Sequence, residues 1–443
     1  MRSVGGLGLV FDFCRQAVRR VEPIQRNGKI DQIIGMVIES TGPVVDIGTI
    51  CRVYDAKQSS WTYAEAVGFK GNRVLLMPFG DLNGVVRGSV VESTGDVLKI
   101  PVGEGLVGRV IDGFGNPIDN AGPIRCDRHY AVQNLPSNPL SRPRIDERLF
   151  IGVRAIDSLL TCGKGQRMGI FAGSGVGKST LLGMMLRNVA ADVNVVALVG
   201  ERGREVRDFI EKDLQKEGMG RSVLVVATSD QSAMMRLKCA MTATTIAEYF
   251  RDQGKDVLLV MDSLTRFAMA QREIGLAIGE PPVARGYTPS LYAMLPKLLE
   301  RSGKFTTGSI TGFYTVLVEG DDTNEPISDT VRGILDGHIV LSRSLAMRNQ
   351  YPAIDILASI SRLMNEIAPQ DHLQMASTLR SVLSAYYENA DLISIGAYKA
   401  GTNPKIDHAI SNIDKINTFL RQEINEKLTF EETIRQMQKV AGK

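Results

Sequence analysis

The chain has 443 residues, enough for about three domains. Its 44% apolar and 23% charged residues are ordinary values for a folded globular protein, and they exclude a largely disordered or fibrous chain. The formal net charge of +3 argues against a protein that holds nucleic acid mainly through its overall charge. Glycine, at 44 residues, is the one residue type in clear excess.

Cysteine and histidine are few and scattered. The 5 cysteines include no CxxC pair, which indicates reduced thiols in a cytoplasm. The 4 histidines show no zinc-ligand spacing. No run of about 18 apolar residues occurs, so the sequence predicts no transmembrane helix.

The N-terminal residues 1–28 form the first segment. Phe11, Cys14, Val18 and Val21 recur at helical spacing with arginines between them. This pattern predicts a short basic amphipathic helix that docks on a partner or touches anionic lipid. A frayed terminus with accidental periodicity is the alternative.

Residues 29–100 are predicted to form a small β-barrel domain. Short β-branched runs alternate there with glycine-containing turns such as Lys70-Gly71-Asn72. A Gly- and Pro-rich stretch at 103–124, followed by three prolines within 134–145, is predicted to be an extended linker leading out of the barrel.

From about residue 150 the pattern changes to buried apolar runs alternating with helical segments, which is typical of a parallel sheet covered by helices. The predicted strands are 167–173, 193–200, 221–229, 256–262 and 313–320, and the predicted helices include Ser179–Val189, Glu205–Lys216 and Met234–Arg251. The predicted α/β core domain is 101–370. Only helical periodicity follows, so 371–443 is predicted to be a helical C-terminal domain.

A phosphate-binding loop joins the predicted strand at 167–173 to the next helix. Residues 172–179 read AGSGVGKS, which departs from G-x-x-x-x-G-K-[ST] only at Ala172. The glycines let backbone N–H groups curl around phosphate, Lys178 would reach the β- and γ-phosphates, and the Ser179 hydroxyl would ligate Mg²⁺. The predicted nucleotide-binding residues of this loop are Gly173, Ser174, Gly175, Val176, Gly177, Lys178, Ser179 and Thr180.

Two carboxylates follow buried strands. Asp262 ends the run DVLLVMD, and a carboxylate at the carboxyl end of a strand beside a phosphate loop can hold the Mg²⁺ shell. Glu201 ends the preceding strand and suits a group that orients and polarises the attacking water. A surface glutamate at a helix start is the structural alternative for Glu201.

These segments resemble a known family. AGSGVGKS, VGERGREV, VMDSLTRFAMAQREIGLAIGEPP, DGHIVLSR and YPAIDILASISR are similar to the hexameric ATPases related to the ATP synthase α and β subunits, from about residue 30 to 430. Within that group the chain looks most like the flagellum-specific export ATPases, also named flagellum-specific ATP synthases, and next like the ATPases of type III secretion injectisomes. The resemblance implies a RecA-like P-loop NTPase core between an N-terminal β-barrel and a C-terminal helical domain.

The resemblance also implies roles for individual residues. Glu201 matches the catalytic glutamate, and its neighbour Arg202 matches a basic residue near the γ-phosphate. Tyr351 matches the aromatic residue that packs on adenine, and Arg362 matches the arginine that enters the neighbouring subunit's site. Tyr398 is predicted to close the adenine pocket from the C-terminal domain.

The function implied is Mg²⁺-dependent hydrolysis of ATP to ADP by a homohexamer that powers or regulates flagellar protein export. The implied partners are a regulatory stator protein at the N-terminus, a central stalk protein, the export gate, and export chaperones with their cargo. The implied location is cytoplasmic, at the inner-membrane face of the flagellar base, associated peripherally with the membrane-embedded export apparatus. No nucleic-acid partner is expected.

Four alternatives remain. The first is the ATPase of an injectisome, which shares these motifs. The second is a catalytic ATP synthase subunit, which Ser179 in place of Thr and the GLAIGEPP segment disfavour. The third is a non-catalytic nucleotide-binding subunit, which Glu201 disfavours. The fourth is an RNA-translocating hexamer, which the charge of +3 and a barrel without an evident stacking array disfavour.

Overall fold

The computed structural model describes residues 27–318 and 325–442. The helix predicted within residues 1–28 lies almost wholly outside the described residues and stays a prediction. Two compact units are distinguished, one ending at Leu98 and the other beginning at Lys99. Among the described residues, no helix is long and apolar enough to cross a membrane.

The first unit contains a closed barrel of six strands, which confirms the predicted barrel. Its strands are β1 (Gly28–Ile34), β2 (Val37–Ser40), β3 (Thr49–Tyr54), β4 (Trp61–Lys70), β5 (Arg73–Pro78) and β6 (Val90–Val97). They pair antiparallel in the order β1-β2-β5-β4-β3-β6, and β6 closes onto β1. The side chains of Ile38, Val53 and Leu76 are fully buried in the barrel's apolar core.

The second unit is built on a mostly parallel sheet. Its strands are β7 (Lys99–Val102), β8 (Val110–Ile111), β9 (Arg128–Ala131), β10 (Arg148–Leu149), β11 (Cys162–Gly163), β12 (Arg167–Ala172), β13 (Val193–Glu201), β14 (Ser222–Thr228), β15 (Asp256–Asp262), β16 (Gly303–Phe305), β17 (Gly308–Leu317), β18 (Gly337–Leu341) and β19 (Ile354–Ser361). The main sheet has the order β19-β18-β12-β17-β15-β13-β14-β8, and β16 pairs with β17. Strands β8, β14, β13, β15, β17, β12 and β18 are parallel, while β19 runs antiparallel to β18.

The described helices of this unit are α1 (Arg154–Leu159), α2 (Lys178–Asn188), α3 (Gly203–Asp208), α4 (Gln215–Met219), α5 (Ala233–Asp252), α6 (Leu264–Ile278), α7 (Pro289–Leu299), α8 (Pro326–Ile334), α9 (Arg343–Met347), α10 (Met364–Ile367), α11 (Gln370–Glu388), α12 (Ala390–Ser394), α13 (Pro404–Leu420) and α14 (Phe430–Ala441). The helix predicted at Glu205–Lys216 is divided. A π-helical turn, Phe209–Leu214, lies between α3 and α4, and Gln215 has a positive φ of 58° that interrupts a single α-helix.

The stretch 103–124, predicted to be a linker, belongs to the second unit instead. Val110 pairs with Leu224, which makes β8 the edge strand of the main sheet. Arg109 forms a bidentate ion pair with Asp119, with N···O distances of 2.6 and 2.8 Å, and so folds the stretch back on itself. The Gly and Pro residues therefore supply turns around a short strand rather than an extended connection.

The C-terminal helices share the apolar core of the sheet. Leu379 of α11 and Ile416 of α13 are buried in the same cluster as Ile170 of β12 and Leu182 of α2. The helical part therefore packs into one unit with the α/β core, and the proposed division near residue 370 stays a prediction.

Candidate nucleotide-binding site

The phosphate-binding loop lies where the sequence predicts it, between β12 and α2. Gly175 and Gly177 have φ angles of 77° and 86°, conformations that glycine adopts without strain. The loop borders a cleft of about 670 Å³, which Gly173, Ser174, Lys178, Ser179 and Thr180 also line. Val176 does not line this cleft, because its side chain is buried in the apolar core.

Three charged side chains meet at the carboxyl edge of the main sheet. Lys178 Nζ lies 2.5 Å from Asp262 Oδ1 and 3.6 Å from Glu201 Oε1. Thr315, on the adjacent β17, donates its hydroxyl to the same Asp262 oxygen over 2.6 Å. Only 4% of Asp262 is exposed, so its charge is balanced within the protein. Strands β13, β15 and β17 are neighbours in the sheet, which explains why residues so far apart in sequence meet here.

The electrostatic environment shifts the pKa values of Glu201 and Lys178. Burial raises the pKa of Glu201 to about 7, and repulsion from Asp262 adds to this effect while Lys178 opposes it. Burial would lower the pKa of Lys178, but attraction to Asp262 and Glu201 outweighs burial, so the Lys178 pKa is raised. A carboxylate that titrates near neutrality is suited to proton transfer at physiological pH.

Basic side chains surround the phosphate side of the cleft. Arg202 lines it and is exposed, and its guanidinium lies 3.5 Å from the Glu205 carboxylate. Sequence reasoning missed Arg266 and Arg343, which line the same cleft. The buried Arg266 Nε has no hydrogen-bond partner among the described residues, so it is available to an anion. Its position four residues after Asp262 is the signal that could have identified it.

A second cavity of about 670 Å³ adjoins the first and shares Gly175, Gly177 and Thr180 with it. Tyr351 lines this cavity with 42% of its surface exposed. A Cβ atom placed on Gly177 would lie 3.4 Å from Tyr351 Cε1, so the ring packs directly against the loop. The segment 421–426, which follows α13, also lines this cavity, and sequence reasoning did not identify it.

Tyr398 does not line either cavity. Its hydroxyl lies 3.0 Å from both Asn403 O and Asp407 Oδ1, either of which can accept its single proton, and it accepts from Asn403 N. These contacts tie Tyr398 to the start of α13. The structure therefore does not bring Tyr398 to either cavity of its own chain, whereas segment 421–426 lines the second one.

Arg362 lies at the opposite edge of the sheet from the phosphate loop. Because β19 is antiparallel to β18, its first residue pairs with Leu341 at the carboxyl edge and its last residue, Ser361, pairs with Gly337 at the amino edge. Tyr351 precedes β19 and Arg362 follows it. The β18 partners of the two ends, Leu341 and Gly337, are four residue steps apart, which corresponds to about 13 Å, because β19 bulges between Asp355 and Ile360. Arg362 is exposed and does not line the cleft of its own chain.

Family models match the chain in three places. The nucleotide-binding domain of the ATP synthase alpha/beta family matches residues 152–361, and its beta-barrel domain matches 30–95. The T3SS EscN ATPase C-terminal domain matches 368–439. The chain belongs to the ATP synthase alpha/beta family, as its motifs predict.

Relatives of similar length refine this assignment. The chain is 55% identical over 426 residues to the flagellum-specific ATP synthase of Bacillus subtilis, covering 96% of this chain and 97% of the relative. It is 50% identical over 410 residues to the type 3 secretion system ATPase of Xanthomonas euvesicatoria, covering 93% of each. The assembled ATPase EscN of the enteropathogenic E. coli type III secretion system superposes with a TM-score of 0.89 at 47% identity, covering 94% of this chain and 100% of EscN. The chain is accordingly a nucleotide-binding ATPase of the group that includes these export enzymes.

Proposed function

We propose that the chain hydrolyses ATP in the cleft between β12, β13 and α2, and that hydrolysis serves flagellar protein export. The observation that carries the proposal is the convergence of Lys178, Glu201 and Asp262 beside the phosphate loop. In this proposal Lys178 binds the β- and γ-phosphates, and Glu201 orients the attacking water and accepts its proton. Arg202 neutralises charge near the γ-phosphate.

Nucleotide binding uses the two adjoining cavities together. The loop residues 173–180 hold the phosphates with their backbone N–H groups, including those at the start of α2, and the glycines allow the loop to adopt this conformation. Tyr351 stacks on the adenine in the second cavity, where its exposed ring face is available.

Mg²⁺ fits the residues at the cleft. The ion prefers oxygen ligands and is usually held by one or two protein groups together with substrate phosphates. Ser179 lines the cleft. The Asp262 carboxylate contacts Lys178, and one of its oxygens accepts a hydrogen bond from the Thr315 hydroxyl. When bound, Mg²⁺ would neutralise charge on the β- and γ-phosphates.

A homohexamer completes the site. Arg362 lies at the far edge of its own sheet, which supports a role in a cleft on a neighbouring copy. An arginine supplied from a neighbour stabilises the charge of the transferring phosphoryl group. The similarity to the EscN assembly, and to EscN in complex with its central stalk EscO, supports an oligomer that binds a stalk protein.

The names of the relatives support an export role. Flagellum-specific ATP synthases of Bacillus subtilis and Treponema pallidum are 55% and 51% identical to this chain. We place the chain at the cytoplasmic face of the flagellar base, with a stator protein on residues 1–28 and with the export gate, chaperones and cargo as further partners. An injectisome ATPase is the second candidate, because a type 3 secretion system ATPase is 50% identical.

Deletion of the gene in its host, followed by complementation, tests the proposal. We expect the deletion to abolish flagellar filaments and flagellin secretion, wild type to restore both, and Glu201→Gln to fail at equal expression. Normal flagella with loss of injected effector proteins would instead establish the injectisome role. Purified wild type without Mg²⁺-dependent ATPase activity would refute the proposed reaction.

A further inference from the structure

The segment 421–426, which lines the second cavity together with Tyr351, is held in place from the core. Arg154, in α1, donates from Nη1 to Phe419 O over 2.9 Å and to Arg421 O over 2.7 Å. Its Nη2 forms an ion pair with the Glu426 carboxylate. Arg154 is only 6% exposed, so these contacts fix both ends of the segment from inside the protein.

Gln422 connects the same segment to Tyr351. Its Oε1 accepts from Arg154 N over 2.7 Å, and its Nε2 donates to Gly152 O over 3.0 Å. Its backbone N–H donates to Tyr351 O over 3.0 Å. The position of the aromatic residue therefore depends on the position of Gln422, which depends in turn on α1.

A further contact connects the segment to the phosphate-loop helix. Arg187, near the end of α2, donates to Ile424 O over 2.8 Å. The segment thus contacts α1, α2 and Tyr351 together. None of these contacts reaches Lys178, Glu201 or Asp262.

We propose that Arg154 is a positioning residue for the nucleobase. Building on the proposed function, it fixes segment 421–426 and, through Gln422, the Tyr351 ring, so that the adenine cavity forms only when the end of α13 is docked on α1. Arg154 contacts the wall of the cavity and does not line it. Its effect should therefore fall on base recognition and leave phosphate binding and the chemical step unchanged.

The test compares ATP with a ligand that has phosphates and no base. The variant is Arg154→Met, which keeps an unbranched apolar side chain and removes the guanidinium. The measurements are KM and kcat for MgATP, and the inhibition constant of Mg²⁺-tripolyphosphate. We expect KM for MgATP to rise about tenfold, with kcat and the inhibition constant both within about twofold of wild type.

Arg380→Met is the matched control. Arg380 of α11 also donates to core carbonyls, those of Ile356 over 2.8 Å and Leu159 over 3.1 Å, but it lines neither nucleotide cavity. It should lower the thermal unfolding midpoint without changing the KM for MgATP. Arg154→Lys should recover part of the ATP affinity, because an ammonium still reaches a carbonyl or Glu426.

An unchanged KM in a folded Arg154→Met protein would overturn the inference, as would equal weakening of ATP and tripolyphosphate binding. If Arg154→Met does not fold, Arg154→Gln supplies the same comparison, since it also removes the guanidinium and keeps a polar side chain at a position that does not line the cavity. An ATP-specific rise in KM supports the inference and an unchanged KM refutes it. A wild-type protein without ATPase activity would refute the proposed function instead, which separates the two failures.

Discussion

Substitution of Arg362 tests whether a neighbouring copy contributes to the proposed site. Arg362 follows β19 at the amino edge of the sheet, about 13 Å from the carboxyl edge at which Tyr351 precedes the strand; this exceeds the Debye length of about 8 Å at physiological ionic strength, so Arg362 contributes little to the cleft of its own chain. Arg362→Ala should nevertheless lower kcat by about a thousandfold or more, because an arginine supplied in trans contributes that much to phosphoryl transfer.

Mixing two inactive variants distinguishes action in trans from action in cis. In the proposed hexamer, each complete site would need Glu201 from one copy and Arg362 from its neighbour. In hexamers formed at random from equal amounts of Glu201→Gln and Arg362→Ala chains, half of the copies carry each intact residue, so about one quarter of the interfaces are intact in both.

Phosphate release by the mixture should therefore reach up to about one quarter of the wild-type rate, while each variant alone stays inactive. Co-assembly is verified by capturing one variant through an affinity tag and detecting the other. Mixed hexamers without recovered activity would refute the assignment of Arg362 to the neighbouring site. Substantial activity of Arg362→Ala alone would refute its role in hydrolysis.

Four further predictions concern the same chain. Glu201→Gln should bind a fluorescent ATP analogue within a few-fold of wild type and lose at least about a hundredfold in kcat; retained turnover would remove Glu201 from its role. Tyr351→Ala should raise KM for ATP about tenfold and Tyr351→Phe should not, because stacking uses the ring; equal effects would assign the binding to the hydroxyl. Chelation of divalent cations should stop hydrolysis and added Mg²⁺ should restore it, so activity in excess chelator would exclude the metal. Burial raises the pKa of Asp157 to about 7, above its value in the unfolded chain, so the free energy of unfolding should fall as pH rises from about 4 to about 7. Urea unfolding of Asp157→Asn should lack this contribution to the pH dependence, which is at most about 1.4 kcal/mol per pH unit. Parallel pH profiles of the variant and the wild type would contradict the prediction.

The features of the site that could be predicted are those that a short stretch of consecutive residues encodes. The phosphate loop is eight consecutive residues with a strand before it and a helix after it, so no tertiary information was needed. Asp262 and Glu201 each end a buried strand, and parallel pairing brings such ends together.

The parts that could not be predicted depend on contacts between distant segments. Segment 421–426 reaches the cavity only because α13 packs on α1, more than 250 residues earlier in the chain. Tyr398 is predicted to close the adenine pocket from the C-terminal domain, whereas hydrogen bonds to Asn403 and Asp407 hold it at the start of α13. The stretch 103–124 has the composition of a linker, and only its pairing with β14 makes it part of the sheet.

The contact between Lys178 and Asp262 bears on which form of nucleotide the cleft accepts. A polyphosphate that draws the ammonium away leaves a carboxylate that is 4% exposed with Thr315 as its remaining neutral donor. An uncompensated buried charge of this kind costs about 3–5 kcal/mol. A divalent cation that arrives with the phosphates supplies the missing positive charge, whereas the metal-free polyanion brings none. We therefore expect the Lys178–Asp262 pair to favour a nucleotide that arrives with its divalent cation over the metal-free nucleotide.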